Sequence, residues 1–154
     1  MKLVLVAGMG NLLRGDDGFG IRVIQRLETM KLPQGVEVYE AGGAGIALAQ
    51  KLMDGFDVCI LVDATQRGGV PGTLYFIEPE ICAKPESIGM HEQDPSRVLA
   101  LARALGALPP KVLLVGCEAF EIDDLREELS PQVQAAVQPA VQRIVEELHR
   151  LTGS

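Results

Sequence analysis

KLVLVAGMGNLLRGDDGFGIRVIQRLETM, residues 2–30, is the stretch on which the fold turns. After Lys2 the run LVLVA is continuously apolar, which marks a strand covered on both faces of a sheet. From Asp17 onward Ile21, Ile24, Leu27 and Met30 recur at helical spacing. Between strand and helix lies GNLLRGDDGFG, residues 10–20, with glycines at both ends and two adjacent carboxylates. The first unit is therefore strand, turn and helix.

The same alternation continues along the chain. GVEVYE (35–40) alternates as a second strand, GIALAQKLM (45–53) is a short apolar helix, and DVCILVDA (57–64) is a third, buried strand. GTLYFIE (72–78) is a fourth. Only TQRGGVP precedes it, too short for a crossover helix, so this strand is expected to pair antiparallel or at an edge,. Residues 79–93, with Pro79 and Pro85, read as a long irregular loop. DPSRVLALARALG (94–106) is a helix with Asp94 as cap, Pro95 at its first position and Gly106 as terminator,. KVLLVGC (111–117) is the fifth strand. The last helix opens at Ser130-Pro131 and runs to about Leu151, with Val133, Val137, Val141, Ile144, Leu148 and Leu151 as its inner stripe and a kink expected at Pro139,. The expected fold is a single α/β domain over residues 1–154, with a mostly parallel five-stranded sheet and one antiparallel strand.

A formal net charge of −7 argues against a general nucleic-acid binder and against docking on an anionic membrane,. No stretch is long enough to span a bilayer. LVLVAGMGNLL invites a signal-peptide reading, but Gly8, Gly10 and Asn11 break it and an acidic pair follows,. A cytoplasmic protein is expected. Cys59 and Cys117 lie in apolar runs as small core residues, and Cys82 lies in a loop; an odd count without a CxxC pair indicates neither a disulfide framework nor a zinc ribbon,.

In open α/β sheets ligands bind beyond the carboxyl ends of the strands. There the sequence places Asn11, Asp16 and Asp17 after strand one, Glu40 and AGGAG after strand two, Asp63 at the end of strand three, His91 in the long loop, and Cys117-Glu118 after strand five. Asp63 closes the apolar run VCILV, where a carboxylate is costly unless it has a partner; a turn residue bonded to nearby amides is the equal alternative. Asp16 is expected as the N-cap of the first helix. Asp17 has no such explanation and can point across the strand ends. His149 lies among charges on the last helix, whereas the loop of His91 opens onto the rim that holds Asp63. Two carboxylates and an imidazole on one point would form an O,O,N set suited to zinc, nickel or another divalent ion. The dinucleotide pattern GxGxxG fails, because Leu13 stands where its third glycine belongs, and no GxxxxGK[ST] occurs,.

GMGNLLRGDDGFG resembles the first motif of the [NiFe]-hydrogenase maturation endopeptidases. EVYEAGGAGIAL resembles their second motif, ILVDA their third, and MHEQDPSRVLALARALG their histidine segment and its helix; VLLVGCE and ELSPQVQAAVQPAV are also similar. The resemblance runs in order over nearly the whole chain. It implies a twisted α/β sheet with helices on both faces. It implies an endopeptidase that cuts a C-terminal extension from the large-subunit precursor of a [NiFe]-hydrogenase once nickel has been inserted. The family's metal-contacting trio falls on Asp17, Asp63 and His91, with nickel supplied by the client and other divalent ions such as zinc or cadmium also able to occupy the site. Asn11, Glu40 and Gly42 fall where substrate contact or shaping of the cleft is implied. Family members often have Asp-Gly-Gly-Thr in the second motif, where Glu40-Ala41-Gly42-Gly43 stands here.

With this trio the metal either polarises the scissile carbonyl as a Lewis acid or belongs to the substrate and is only read. The second is favoured. No Ser-His-Asp or Cys-His arrangement offers a covalent nucleophile. A non-cleaving metal-binding paralogue is a lesser reading. The rival from another class is a phospho-acceptor signalling domain, which also has an acidic pair after strand one and an Asp ending strand three. It needs a Lys after strand five, and VGCEAFEIDD has none.

Overall fold

The computed structural model describes residues 1–43, 45–81 and 94–154. In chain order the elements are β1 (Val4–Met9), a 3-10 turn (Gly15–Gly18), α1 (Phe19–Glu28), β2 (Val36–Gly42), α2 (Gly45–Leu52), β3 (Val58–Thr65), β4 (Leu74–Ile77), α3 (Pro95–Ala104), β5 (Lys111–Glu118) and α4 (Pro131–Thr152). The strands form one sheet in the order β2-β1-β3-β5-β4. All neighbours are parallel except β4, which runs antiparallel to β5 along the edge. The short link before β4 dictates this, since a parallel return needs a crossover of a dozen residues or more.

Period-two alternation splits the core into two layers. Val4 and Val6 of β1 and Val58, Ile60 and Val62 of β3 join Val23, Ile24 and Leu27 of α1 and the inner stripe of α4. Leu5, Ala7 and Met9 of β1 and Cys59 and Leu61 of β3 join Leu48 and Leu52 of α2 and Val98, Leu99 and Ala102 of α3 on the other face. Helices thus cover both faces, which is why β1 and most of β3 are apolar at every position rather than at alternate ones,.

Several boundaries differ from the sequence reading. The 3-10 turn precedes α1, which begins at Phe19 rather than Asp17. Met30 lies past the end of α1 and is 40% exposed, so it is not on the inner face. β2 continues to Gly42, with a register shift against β1 between Gly8 and Met9. Helix α4 runs from Pro131 to Thr152 through Pro139. Pro139 and the Ala135 one turn before it are exposed, where water can take up the carbonyl that proline leaves unbonded,. Ser130 caps this helix, accepting from the Val133 N–H at 3.4 Å, and Asp94 caps α3, accepting from the Ser96 N–H at 3.0 Å.

The start of α1 is seated directly on the sheet. A Cβ at Gly20 would lie 2.3 Å from the Val62 carbonyl oxygen and 2.5 Å from that of Met9. A Cβ at Gly8 would lie 2.6 Å from the Gly20 oxygen. The tight helix–strand approach absent at Leu13 is therefore made by Gly20. The chain leaves β1 for β2 on one side and enters β3 on the other. The carboxyl ends of β1 and β3 accordingly flank a topological switch point, the place where open α/β sheets form a binding crevice.

Candidate active site

At that switch point the chain turns sharply after β1. Gly10 adopts φ 118°, and a Cβ there would lie 1.9 Å from the Asp17 carbonyl oxygen, so only glycine allows the turn to fold back so closely,. The Asn11 side chain accepts from the Leu13 N–H at 2.9 Å, and its carbonyl accepts from the Arg14 N–H at 3.1 Å. Residues 15–18 then wind into the 3-10 turn.

Asp17 stands half-buried on this turn, and its Oδ2 accepts from the Asn11 N–H at 2.9 Å. Burial raises its carboxyl above the ordinary value, against the Asn11 hydrogen bond and the Arg14 charge, which lower it,. Asp63 ends the buried run of β3, opposite Gly116 of β5, and is only 7% exposed. Burial pushes its carboxyl well above the usual range; the Asp17 and Asp94 carboxylates push it further, and the Ala64 amide opposes them,. Alternation sends Asp63 to the same side as Leu61, toward the face of α2 and α3,. Asp63 thus feels the carboxylates of Asp17 and Asp94 at one corner of the sheet. Among the described residues no salt bridge reaches Asp17 or Asp63. A buried carboxylate with a second one close enough to raise it is arranged to favour a cation,.

Residues 21–147 match the family model described as hydrogenase maturation protease. The chain belongs to that family. The match contains Asp63 and His91 and begins just after Asp17. The protease is 33% identical over 149 residues to the hydrogenase expression/formation protein HupD of Thiocapsa roseopersicina, covering 94% of this chain and 67% of that one. It is similar to the hydrogenase maturating endopeptidase HybD of E. coli, at 30% identity and a TM-score of 0.81 over 96% of this chain and 93% of that one. It is also similar to a hydrogenase 2 maturation peptidase from a Thaumarchaeota archaeon, at 38% identity and a TM-score of 0.73 over 96% and 98% of the two chains. As a member of the family the protease is an endopeptidase.

The remaining sequence-predicted residues fall as follows. Asn11 lies in the turn and donates to Asp17 as described. Gly42 closes β2 at φ 65°, its carbonyl accepting from the Gly10 N–H at 2.9 Å, which ties the second motif to the first. Glu40 is exposed and pairs with Gly8 in the sheet. His91 and Cys82 lie outside the described residues.

Asp16 corrects the sequence reading. It does not cap α1, whose N-cap position is Gly18 with no side-chain bond. It is completely buried, and it accepts from the Phe120 N–H at 2.8 Å, the Glu121 N–H at 3.0 Å, the Ser130 N–H at 2.6 Å and the Ser130 hydroxyl at 2.9 Å. The sequence pairs an acidic turn with a Ser-Pro helix start, yet nothing local says that they meet. Glu118 has a role that its place in the sequence does not reveal. It is buried at the end of β5 and accepts from the Arg67 N–H and from the Tyr75 hydroxyl at 2.8 Å, so it pins the loop between β3 and β4. The position after strand five, where a phospho-acceptor domain needs a Lys, is thus filled by a carboxylate with a structural task.

No helix among the described residues is long and apolar enough to cross a membrane. Both described cysteines are buried thiols, with burial pushing Cys59 up to about 12, and burial helped by the Asp16 and Glu118 charges doing the same to Cys117. Neither is a nucleophile at neutral pH.

Proposed function

We propose that this protease removes the C-terminal extension from the large-subunit precursor of a [NiFe]-hydrogenase, in the cytoplasm, after nickel has been inserted. In this reading Asp17, Asp63 and His91 contact the client's nickel, and Asn11, Glu40 and Gly42 border the bound peptide. The observation that carries it is the buried Asp63 at the switch point, close enough to Asp17 for the two carboxylates to interact. A divalent ion arriving with the client would relieve both their desolvation and their mutual repulsion. Carboxylate oxygens and an imidazole suit nickel, and zinc or cadmium by the same donor chemistry. Two carboxylates and one imidazole without a thiolate make a weak permanent site, which favours an ion presented by the partner over one stored in the enzyme. Nickel then holds the extension against the rim, where the peptide bond is hydrolysed.

The test uses metal-free protease and unprocessed large subunit in nickel-loaded and nickel-free forms. Shortening of the loaded form alone, read by mass spectrometry, is the expected result. Equal cutting of both forms removes nickel recognition from the proposal. Cutting that starts only when zinc is added to the protease would make this an ordinary metalloprotease. Tight binding of the loaded client without shortening would identify a non-cleaving paralogue.

A further inference from the structure

We infer that Asp16 is a positioning residue for the peptidase reaction: its carboxylate, gripped by the 120–121 turn and by Ser130 at the start of α4, sets the direction in which Asp17 points. The inference rests on the proposed role of Asp17.

The 3-10 turn that carries both residues has no side-chain cap of its own. Its backbone is stitched to the segment after β5, with the Gly15 N–H donating to the Arg126 carbonyl and the Asp16 N–H to the Glu121 carbonyl, each at 2.8 Å. These bonds hold the turn at its place on the sheet. The Asp16 carboxylate adds four further bonds to the same segment and so fixes the rotation of the turn more firmly. In a 3-10 helix successive side chains are about 120° apart. When Asp16 points inward, Asp17 is carried round toward the crevice. The inward direction of Asp16 is over-determined: both oxygens are used, Oδ1 by the Ser130 N–H and Oδ2 by the Phe120 and Glu121 N–H groups and the Ser130 hydroxyl. All four bonds come from residues 120–130, whereas Asp17 accepts from Asn11. One carboxylate is thus locked to the scaffold so that its neighbour can be presented to the substrate.

Asp16→Asn keeps the shape and exchanges one oxygen for an NH2. Whichever way the amide turns, that NH2 faces N–H donors, since each oxygen of Asp16 accepts from the backbone,. The turn must then rotate or retreat. A displacement of about 1 Å at a reacting group lowers turnover on the order of 100-fold.

The experiment measures initial cleavage rates against concentration of nickel-loaded precursor, together with thermal melts, for wild type, Asp16→Asn, Ser130→Ala and Ile144→Val. Ile144 is buried against the sheet on the inner stripe of α4 and serves as a stability control. Asp16→Asn should lower kcat/KM on the order of 100-fold, because the residue it misdirects, Asp17, is the one that meets the client's nickel in the proposed function. Ser130→Ala removes one of the four donors and should lower kcat/KM less, and it supplies the answer should Asp16→Asn not fold. Ile144→Val should lower the melting temperature and leave kcat unchanged. The inference is overturned if the folded Asp16 and Ser130 variants keep the wild-type kcat/KM, or if Ile144→Val loses as much activity as they do. Wild-type protease that leaves the loaded precursor intact would instead refute the proposed function; its failure is seen in the wild-type arm alone.

Discussion

Replacing Gly20 with alanine tests whether α1 truly rests on the sheet. The added Cβ would stand 2.3 Å from the Val62 oxygen and 2.5 Å from the Met9 oxygen, where ordinary contact begins at 3.4 Å. The shortfall at Val62 is 3.4 − 2.3, about 1.1 Å, and both obstacles are backbone atoms of central strands that no rotamer change can move,. Overpacking of this kind costs about 1–3 kcal/mol, and the rigidity of both carbonyls places Gly20→Ala at the upper end. Alanine regains up to about 1 kcal/mol of helix propensity. The net loss is about 2 kcal/mol, or a melting temperature lower by about 4–8 °C for a chain of this size. Gly18→Ala, whose nearest atoms would be Leu12 at 3.2 and 3.3 Å, should lose less. Circular dichroism melts of the two variants beside wild type decide the matter. If Gly20→Ala melts at or above the wild-type temperature, propensity has won and the close seating is wrong.

Three further outcomes follow from the site and its surroundings. Asp63→Asn should abolish processing and yet raise stability by about 0.5–2 kcal/mol, because it removes a buried charge beside two others while keeping an oxygen for the Ala64 amide,; a lower melting temperature would show that Asp63 is a structural turn residue. For Glu118, burial works to raise the carboxyl, but the Tyr75 hydroxyl and the amides of Arg67, Gly69 and Gly68 outweigh it and hold it below the ordinary value. That stabilisation is present above the unfolded value and is lost as the pH falls through the folded one, so hydrogen-exchange protection of Arg67–Gly69 should drop in acid; Glu118→Gln should already show the weaker protection at neutral pH, and equal protection in both proteins would count against the anchor. Cys59 and Cys117, with thiols at about 12, should resist alkylation in the native protein and react on denaturation,; peptide mapping that finds either labelled at neutral pH in the folded state would contradict their burial.

Most of the architecture was legible because it depends on local pattern. The continuous apolar runs of β1 and β3 announced a sheet covered on both faces, and the seven residues TQRGGVP before β4 excluded a crossover, hence the antiparallel edge. Asp63 was visible because a carboxylate that ends an apolar run is unusual in itself. Other features depend on distant partners. Asp16 looked like a helix cap because the residues beside it are a helix start, whereas its real donors are Phe120, Glu121 and Ser130. Met30 continued the helical spacing of Ile21, Ile24 and Leu27, but periodicity does not register that the helix has already stopped at Glu28. Gly20 escaped notice as the contact glycine because close approach is a property of two elements, and the pattern that would have flagged it belongs to loops with a different ligand.

The span between Asp16 and Ser130 also sets a clock. The two residues are separated by 114 positions. At a synthesis rate of about 5–20 residues per second, roughly 6–23 seconds pass between the appearance of one and the other. Until residues 120–130 are made, the turn that carries Asp17 can have its β1 strand and the α1 helix but lacks all four donors to Asp16. A nascent chain long enough to form β1, β2 and β3 therefore holds both acidic residues without yet aiming them. On the inference that Asp16 aims Asp17, competence to cut waits for the segment from Phe120 to Ser130.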